Sequence, residues 1–336
     1  MQTSRVTYAI VLLAAAVLTG GCSQVTQGLF GTQGQYLLYA YDVVTPPGRQ
    51  VDLKARLQSG TYLGDQVGAP IRFYYQDRLF AEADTDSEGI AQVEFTPLEE
   101  GDYVFTVSYK PTTDEDDSDA APVSTNLIVS SRRADTRFVV VDLDKTLVQS
   151  GFHLVLAGDP TPMPGSAEVM HRLAEDYSVI YLTHRPDYFG PKSGAWLRSK
   201  GYPQAPLLTG NIKGLIEGSG AFKGQTLQDL ARTFSRLEIG IGDKISDVQA
   251  YVDNGMRGFL VIHPETSWDA EDYEDLASDL NSLPDSVQVV THWRQIEEVL
   301  YGSADYSLPK VRDDLRSRAR KLAESEREED DDDEDD

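Results

Sequence analysis

Residues 138–146 read Phe138-Val139-Val140-Val141-Asp142-Leu143-Asp144-Lys145-Thr146. Four apolar residues in unbroken succession, three of them β-branched, describe a strand buried on both faces. Two carboxylates and a hydroxyl then follow at its exit. Charge at that point sits where ligands bind in parallel α/β sheets, outside the carboxyl ends of the strands. Asp142 and Asp144, two residues apart, can point into one site, one as nucleophile and the other as acid or base.

Working outward, similar apolar runs recur at Val179–Leu182, Leu207–Leu208, Leu237–Ile241, Phe259–Ile262 and Val287–Val290, with helical stretches between them. Runs of this kind alternating with helices predict an α/β domain with a doubly wound parallel sheet, assigned to residues 133–304. The candidate site is then whatever follows each run. Thr183 follows the second, with His184 and Arg185 behind it. Lys223 lies ahead of the fourth, before a stretch from Gln225 to Phe234 that reads as a helix. Gly242-Asp243-Lys244-Ile245-Ser246-Asp247 follows the fourth and supplies a second acidic pair. A calcium loop starting at Asp142 is excluded, because Leu147 stands where an EF-hand needs glycine and no Glu follows at position twelve. Gly218 to Lys223 fails the spacing of a phosphate loop.

The ordered set, D-x-D-x-T, a strand-terminal Thr, a Lys and G-D-x-x-x-D, resembles the haloacid dehalogenase superfamily of phosphotransferases from Arg137 to Tyr301. That resemblance implies that Asp142 attacks phosphorus and forms an aspartyl-phosphate, while Asp144 serves as acid and then base. It implies that Thr183 binds phosphoryl oxygens and Lys223 neutralises charge. Mg²⁺ is implied on the Asp142 carboxylate, the Asp144 backbone carbonyl and Asp243, with Asp247 a further ligand or an orienting neighbour. Thr146, His184 and Arg185 are expected beside the substrate, His184 in an orienting or packing role. The second Asp is similar to that of phosphatases and phosphomutases.

The intervals from Thr146 to Thr183 and from Thr183 to Lys223 are too short for a separate cap domain, which needs roughly 50 residues or more. A capless, open site is expected. Tyr181-Leu182-Thr183-His184-Arg185-Pro186, the motif F-K-x-x-x-L-x-D-L from Phe222 to Leu230 and Gly240 to Tyr251 are similar to the catalytic domain shared by lipins and Nir-type phosphatidylinositol-transfer proteins. The resemblance implies a Mg²⁺-dependent phosphatase acting on phosphatidate or a related lipid phosphate; Lys145 stands where lipins carry glycine. A broad periplasmic acid phosphatase and a non-catalytic lipid-binding lipoprotein are the alternatives. Six basic residues against two acidic ones between 184 and 224 form a local island able to receive an anionic head group.

Upstream, residues 35–132 alternate with period two, as in Val51, Leu53, Ala55 and Leu57, and turn residues separate about seven short strands. This predicts an all-β sandwich and resembles bacterial immunoglobulin-like modules, with a spacer or docking role and a possible protein partner. The acidic run at 114–119 reads as solvated loop. Before it, Arg5, an apolar run from Tyr8 to Leu18 and Thr19-Gly20-Gly21-Cys22 form a signal over 1–21 that resembles a lipoprotein lipobox. The resemblance implies lipidation of Cys22, a tether over 22–34 and an outer-membrane location facing the periplasm in the bacterial envelope. Residues 305–336 read as a charged helix and a disordered tail, with eleven acidic residues and one Arg from Glu324 to Asp336. The whole chain of 336 residues carries 30 Lys and Arg against 55 Asp and Glu, a formal charge of −25. That balance argues against nucleic acid, whose phosphates need clustered cations.

Overall fold

A computed structural model of the chain describes residues 36–60, 63–111, 122–149, 159–210 and 218–333. The expectations for Cys22, for the tether and for the acidic run at 114–119 lie outside the described residues. Among those described, no helix is long and apolar enough to cross a membrane.

The first unit contains strands β1 (Tyr36–Tyr41), β2 (Val43–Thr45), β3 (Val51–Ser59), β4 (Gly64–Asp65), β5 (Pro70–Tyr75), β6 (Arg78–Asp84), β7 (Ile90–Phe95), β8 (Gly101–Tyr109) and β9 (Val123–Ser131). In one sheet β3 pairs antiparallel with β1, β4 and β7; the other sheet has the order β2-β9-β8-β5-β6. Alternation in β3 turns Leu53, Ala55 and Leu57 inward, where they meet Phe73, Phe105, Val107 and Leu127 of the facing sheet. Each large side chain buried there contributes about 1.5–3 kcal/mol. The described residues hold nine strands rather than about seven. Strand β6 escaped the sequence because Leu79 and Phe80 face solvent, and because its hairpin to β5 turns on Gln76 and Asp77, with φ of 50° and 60° and no glycine to announce it.

The second unit begins at β10 (Arg137–Val141) and continues through α1 (Ser166–Asp176), β11 (Ser178–Pro186), a 3-10 turn (Asp187–Phe189), α2 (Gly190–Ser199) and β12 (Leu207–Gly210). It proceeds through α3 (Ser219–Ala231), β13 (Arg236–Gly242), α4 (Ile245–Asp253), β14 (Arg257–Val261), α5 (Ala270–Asp279), β15 (Gln288–Val290), α6 (Trp293–Tyr301) and α7 (Leu308–Asp333). The six strands pair in parallel in the order β12-β11-β10-β13-β14-β15. Val139 and Val141 pack on Met170, Trp196 and Trp293 of α1, α2 and α6, whereas Phe138 and Val140 share a core with Leu227, Tyr251, Ala277 and Leu315 of the other helices. Both faces are therefore covered, which is why the strands read as continuous apolar runs. Chain direction across the sheet reverses between β10 and β13, so a crevice opens at the carboxyl ends of these two strands.

Two helices depart from the sequence expectation. Helix α3 spans Ser219–Ala231 instead of starting at Gln225, so Lys223 lies within it. Gly220 and Gly224 weaken the helical signal, yet they let α3 lie close to α4, with Ser246 and Ala250 as neighbours. Helix α7 continues to Asp333, carrying helical backbone into the acidic block expected to be disordered. Glutamate is a good helix former, and a docked first half spares that block the cost of nucleation.

The two units touch. Asp42, just beyond β1, accepts the Ile128 N–H at 2.7 Å and the Leu207 N–H of β12 at 2.8 Å. Arg132 donates to Ser178 at 2.9 Å and Arg49 to Thr233 at 3.2 Å. The sandwich is seated along the β12 edge of the parallel sheet.

Candidate active site

Asp142 is the first residue after β10 and Asp243 the first after β13, so the two strands flanking the reversal each deliver a carboxylate to the crevice. Asp247 enters from the first turn of α4. The three residues each offer an oxygen within 4.8 Å of the others. Lys223, fully buried on α3, places Nζ 2.8 Å from Asp142 Oδ1 and 2.5 Å from Asp247 Oδ2. Ser219, one helical turn before Lys223, donates to Asp247 Oδ1 at 2.8 Å.

One ammonium faces three carboxylates, and their electrostatics follow from that imbalance. Burial alone would depress Lys223, but Asp142, Tyr251 and Asp247 carry it well above the ordinary lysine value. Asp247 is pulled below the carboxylate range, its burial outweighed by Lys223. Asp142 is raised by burial, against the pull of Lys223 and with further repulsion from Asp247 and Asp144. Asp243 is pushed up to about 7, by burial first and by Asp142 next. Its Oδ1 is enclosed and has no hydrogen-bond partner among the described residues, and neither does the buried Thr146 Oγ1. Buried polar atoms without partners are rare and call for a ligand or water. A hard divalent cation takes oxygen donors of this kind. The acidic triad thus fits Mg²⁺ on both charge and donor set.

The remaining expected residues are also gathered here. Thr183 is fully buried near the end of β11, its Oγ1 accepting the Arg185 N–H at 3.3 Å. Arg185 forks onto Asp144, Nε to Oδ2 at 3.0 Å and Nη2 to Oδ1 at 2.7 Å, while Nη1 donates to Ser193 Oγ at 2.8 Å. The Asp144 carboxylate is not part of the triad that can hold a metal. His184 packs its ring 5.8 Å from that of Phe222, in keeping with a packing role.

Among the described residues, the basic island does not form one surface. Arg185 and Lys223 are buried in ion pairs, and Lys200 pairs with Asp159 at 2.5 Å. Charge counted along the chain could not anticipate that pairing.

Several supports went unread in the sequence. His263, beyond β14, donates to the Lys145 carbonyl at 2.5 Å, and Trp293 Nε1 to the Thr146 carbonyl at 2.9 Å. Lys145 itself adopts a φ of 54°, the left-handed region where glycine is at ease. Ser219 had a legible signal, since it stands four residues before Lys223 on the same helix face. Trp293 and His263 had none, being distant in sequence from the loop they hold.

At the strand reversal a cation thus lies between two carboxylates, with a buried hydroxyl on the neighbouring strand. Residues 139–259 match the family model described as PITM 1-3, LNS2 domain. The match supports a lipin-like phosphatase domain over that segment. A search of curated proteins returns no match. Among solved structures, the titin M3 domain aligns at 11% identity and TM-score 0.22, covering 29% of this chain and 97% of that one. A CARDB domain from Pyrococcus furiosus aligns at 12% identity and TM-score 0.22, covering 29% and 96%. The Ig1-2 module of a Drosophila receptor protein tyrosine phosphatase aligns at 10% identity and TM-score 0.23, covering 32% and 61%. The architecture of the N-terminal β-rich region rests on its own strand pairings rather than on these low scores.

Proposed function

We propose that the protein is a Mg²⁺-dependent phosphomonoester hydrolase acting on phosphatidate or a related lipid phosphate. One observation carries the reading: the carboxylates of Asp142, Asp243 and Asp247 converge, Lys223 pairs with the first and the last, and Asp243 Oδ1 and Thr146 Oγ1, both enclosed, have no partner among the described residues. Asp142 attacks phosphorus and forms an aspartyl-phosphate, and the leaving oxygen takes a proton from Asp144. Asp144 then takes a proton from the water that hydrolyses the intermediate. Lys223 holds one Asp142 oxygen and favours its ionised form against the burial that raises it. Thr146 and Thr183 donate their hydroxyls to phosphoryl oxygens. Asp142, Asp243 and Asp247 would hold Mg²⁺, which when bound neutralises charge on the phosphoryl group. Arg185 engages both oxygens of Asp144 and so holds the acid–base carboxylate in place.

The lipid substrate is supported by the match to the LNS2 domain and by the absence of a separate cap among the described residues. The undescribed stretches 150–158 and 211–217 are far shorter than the ~50 residues an independent domain needs. Attachment to a bacterial envelope membrane through lipidated Cys22 belongs to the same proposal, on the strength of the Tyr8–Leu18 run and the small residues after it.

The test is phosphate release by the purified protein from phosphatidate in mixed micelles and from p-nitrophenyl phosphate, with and without EDTA. Release from phosphatidate is expected, abolished by EDTA and by Asp142→Asn. Turnover indifferent to EDTA refutes the metal assignment. Faster turnover of p-nitrophenyl phosphate makes it a broad phosphatase, and lipid association without turnover makes it a binding protein.

A further inference from the structure

The sandwich was expected to be a spacer or docking module, and its first strand ends against the loop that follows Arg185. Tyr41, the last residue of β1, donates from its hydroxyl to Asp187 Oδ2 at 2.9 Å. Asp187 opens the 3-10 turn between β11 and α2 and lies two residues after Arg185, and its Oδ1 accepts the Tyr188 N–H at 2.9 Å. The same short segment is tied at its other end, where Arg185 spans Asp144 and Ser193. Residues 183–193 are thus held by three side-chain fastenings: Thr183 at the strand end, Arg185 to Asp144, and Tyr41 from the other domain.

Burial pushes both Asp187 and Tyr41 above their ordinary values. A carboxyl enclosed this far from water keeps its place only with donors supplied, and the sandwich supplies one of the two. Tyr39, in the same strand, sets its ring edge-on to that of Tyr41 at 5.8 Å and donates from its hydroxyl to Gln58 inside the sandwich at 3.3 Å.

We propose that Tyr41 is a positioning residue for the phosphatase site, and that the sandwich, through it, fixes the loop from which Arg185 reaches Asp144. Tyr41 touches no reacting atom; it acts through Asp187. The inference rests on the phosphatase reading for its kinetic half and stands apart from it in its structural half.

The experiment compares Tyr41→Phe and Tyr39→Phe in the full-length protein by steady-state kinetics on p-nitrophenyl phosphate, by thermal melting and by amide exchange over residues 184–193. For Tyr41→Phe, kcat is expected to fall by roughly ten- to hundredfold, the scale of a small misplacement at a reacting centre. KM stays near that of the wild type, the melting midpoint falls by only the few degrees that one buried hydrogen bond is worth, and exchange over the segment accelerates. Asp187→Asn, which keeps an oxygen to accept from Tyr41, is expected to retain most of the activity. Tyr39→Phe, which leaves the Tyr41 hydroxyl on Asp187 but takes a donor from Gln58, is expected to lower the melting midpoint while kcat and exchange stay near the wild type. Wild-type kcat and exchange in Tyr41→Phe overturn the proposal, as does a fall in kcat that merely tracks a lowered melting midpoint. If the wild type shows no turnover, the phosphatase reading fails, while amide exchange still decides whether Tyr41 orders the segment.

Discussion

Lys223 is the residue on which the site balances. Among the described residues its ammonium is the one cation in direct contact with Asp142 and Asp247, and all three side chains are buried. Removing a single partner from a buried ionic cluster leaves uncompensated charge and costs about 3–5 kcal/mol. Lys223→Met is therefore expected to lower the free energy of unfolding measured in urea by that margin and to abolish turnover. Mg²⁺ should restore part of the lost stability, since a cation held by the same carboxylates replaces the missing charge. Equal destabilisation with and without Mg²⁺ would separate the cluster from any metal. Lys145 shows the opposite economy: a left-handed residue other than glycine costs about 1–2 kcal/mol, and the His263 hydrogen bond to its carbonyl helps hold it there.

At the scale of elements, α4 sits where it does because β13 lacks a side chain at Gly240. A Cβ at that position would overlap the Tyr251 ring, so the glycine lets α4 approach the sheet and bring Asp247 to Lys223. Gly240→Ala is expected to push the helix outward, at about 1–3 kcal/mol for an overpacked core. The sharper consequence is local: Asp247 leaves the triad, and Mg²⁺ affinity measured by calorimetry falls more than stability does. An unchanged affinity would mean that Asp247 orients the site without binding the metal. Helix α3 follows the same logic, with Gly220 and Gly224 on the face turned to α4.

For the molecule as a whole, the seam between the two units contains a carboxyl with an unusual titration. Asp42 is pushed up to about 7, because burial outweighs its two backbone N–H donors and the nearby Arg198. An unfolded aspartate titrates at about 3.9, so the folded protein binds the extra proton between these values. The stability contributed by this group is present in full below pH ~4 and is lost as pH rises through ~7. Urea unfolding across that window should show a declining slope that Asp42→Asn flattens, with Asn retaining an acceptor for one of the two N–H groups. Identical slopes in the two proteins would mean that Asp42 is ionised throughout.

Fold class was legible because burial leaves a local mark. A strand covered on both faces must be apolar at every position, so the six runs identified the parallel sheet, and the polar residues at their exits identified Asp142, Thr183 and Asp243. The start of α3 and strand β6 were illegible because glycines chosen for close approach, and side chains left facing solvent, break the very patterns that reveal elements. The order of the chain alone determined which acidic and basic groups the site could draw upon. Only the tertiary structure decided their partners: Arg185 with Asp144, Lys223 between two carboxylates, and Tyr41 of one domain on Asp187 of the other. Hydrogen bonds and ion pairs act over a few ångströms in space, and residues 146 positions apart become neighbours only once both domains have folded and docked.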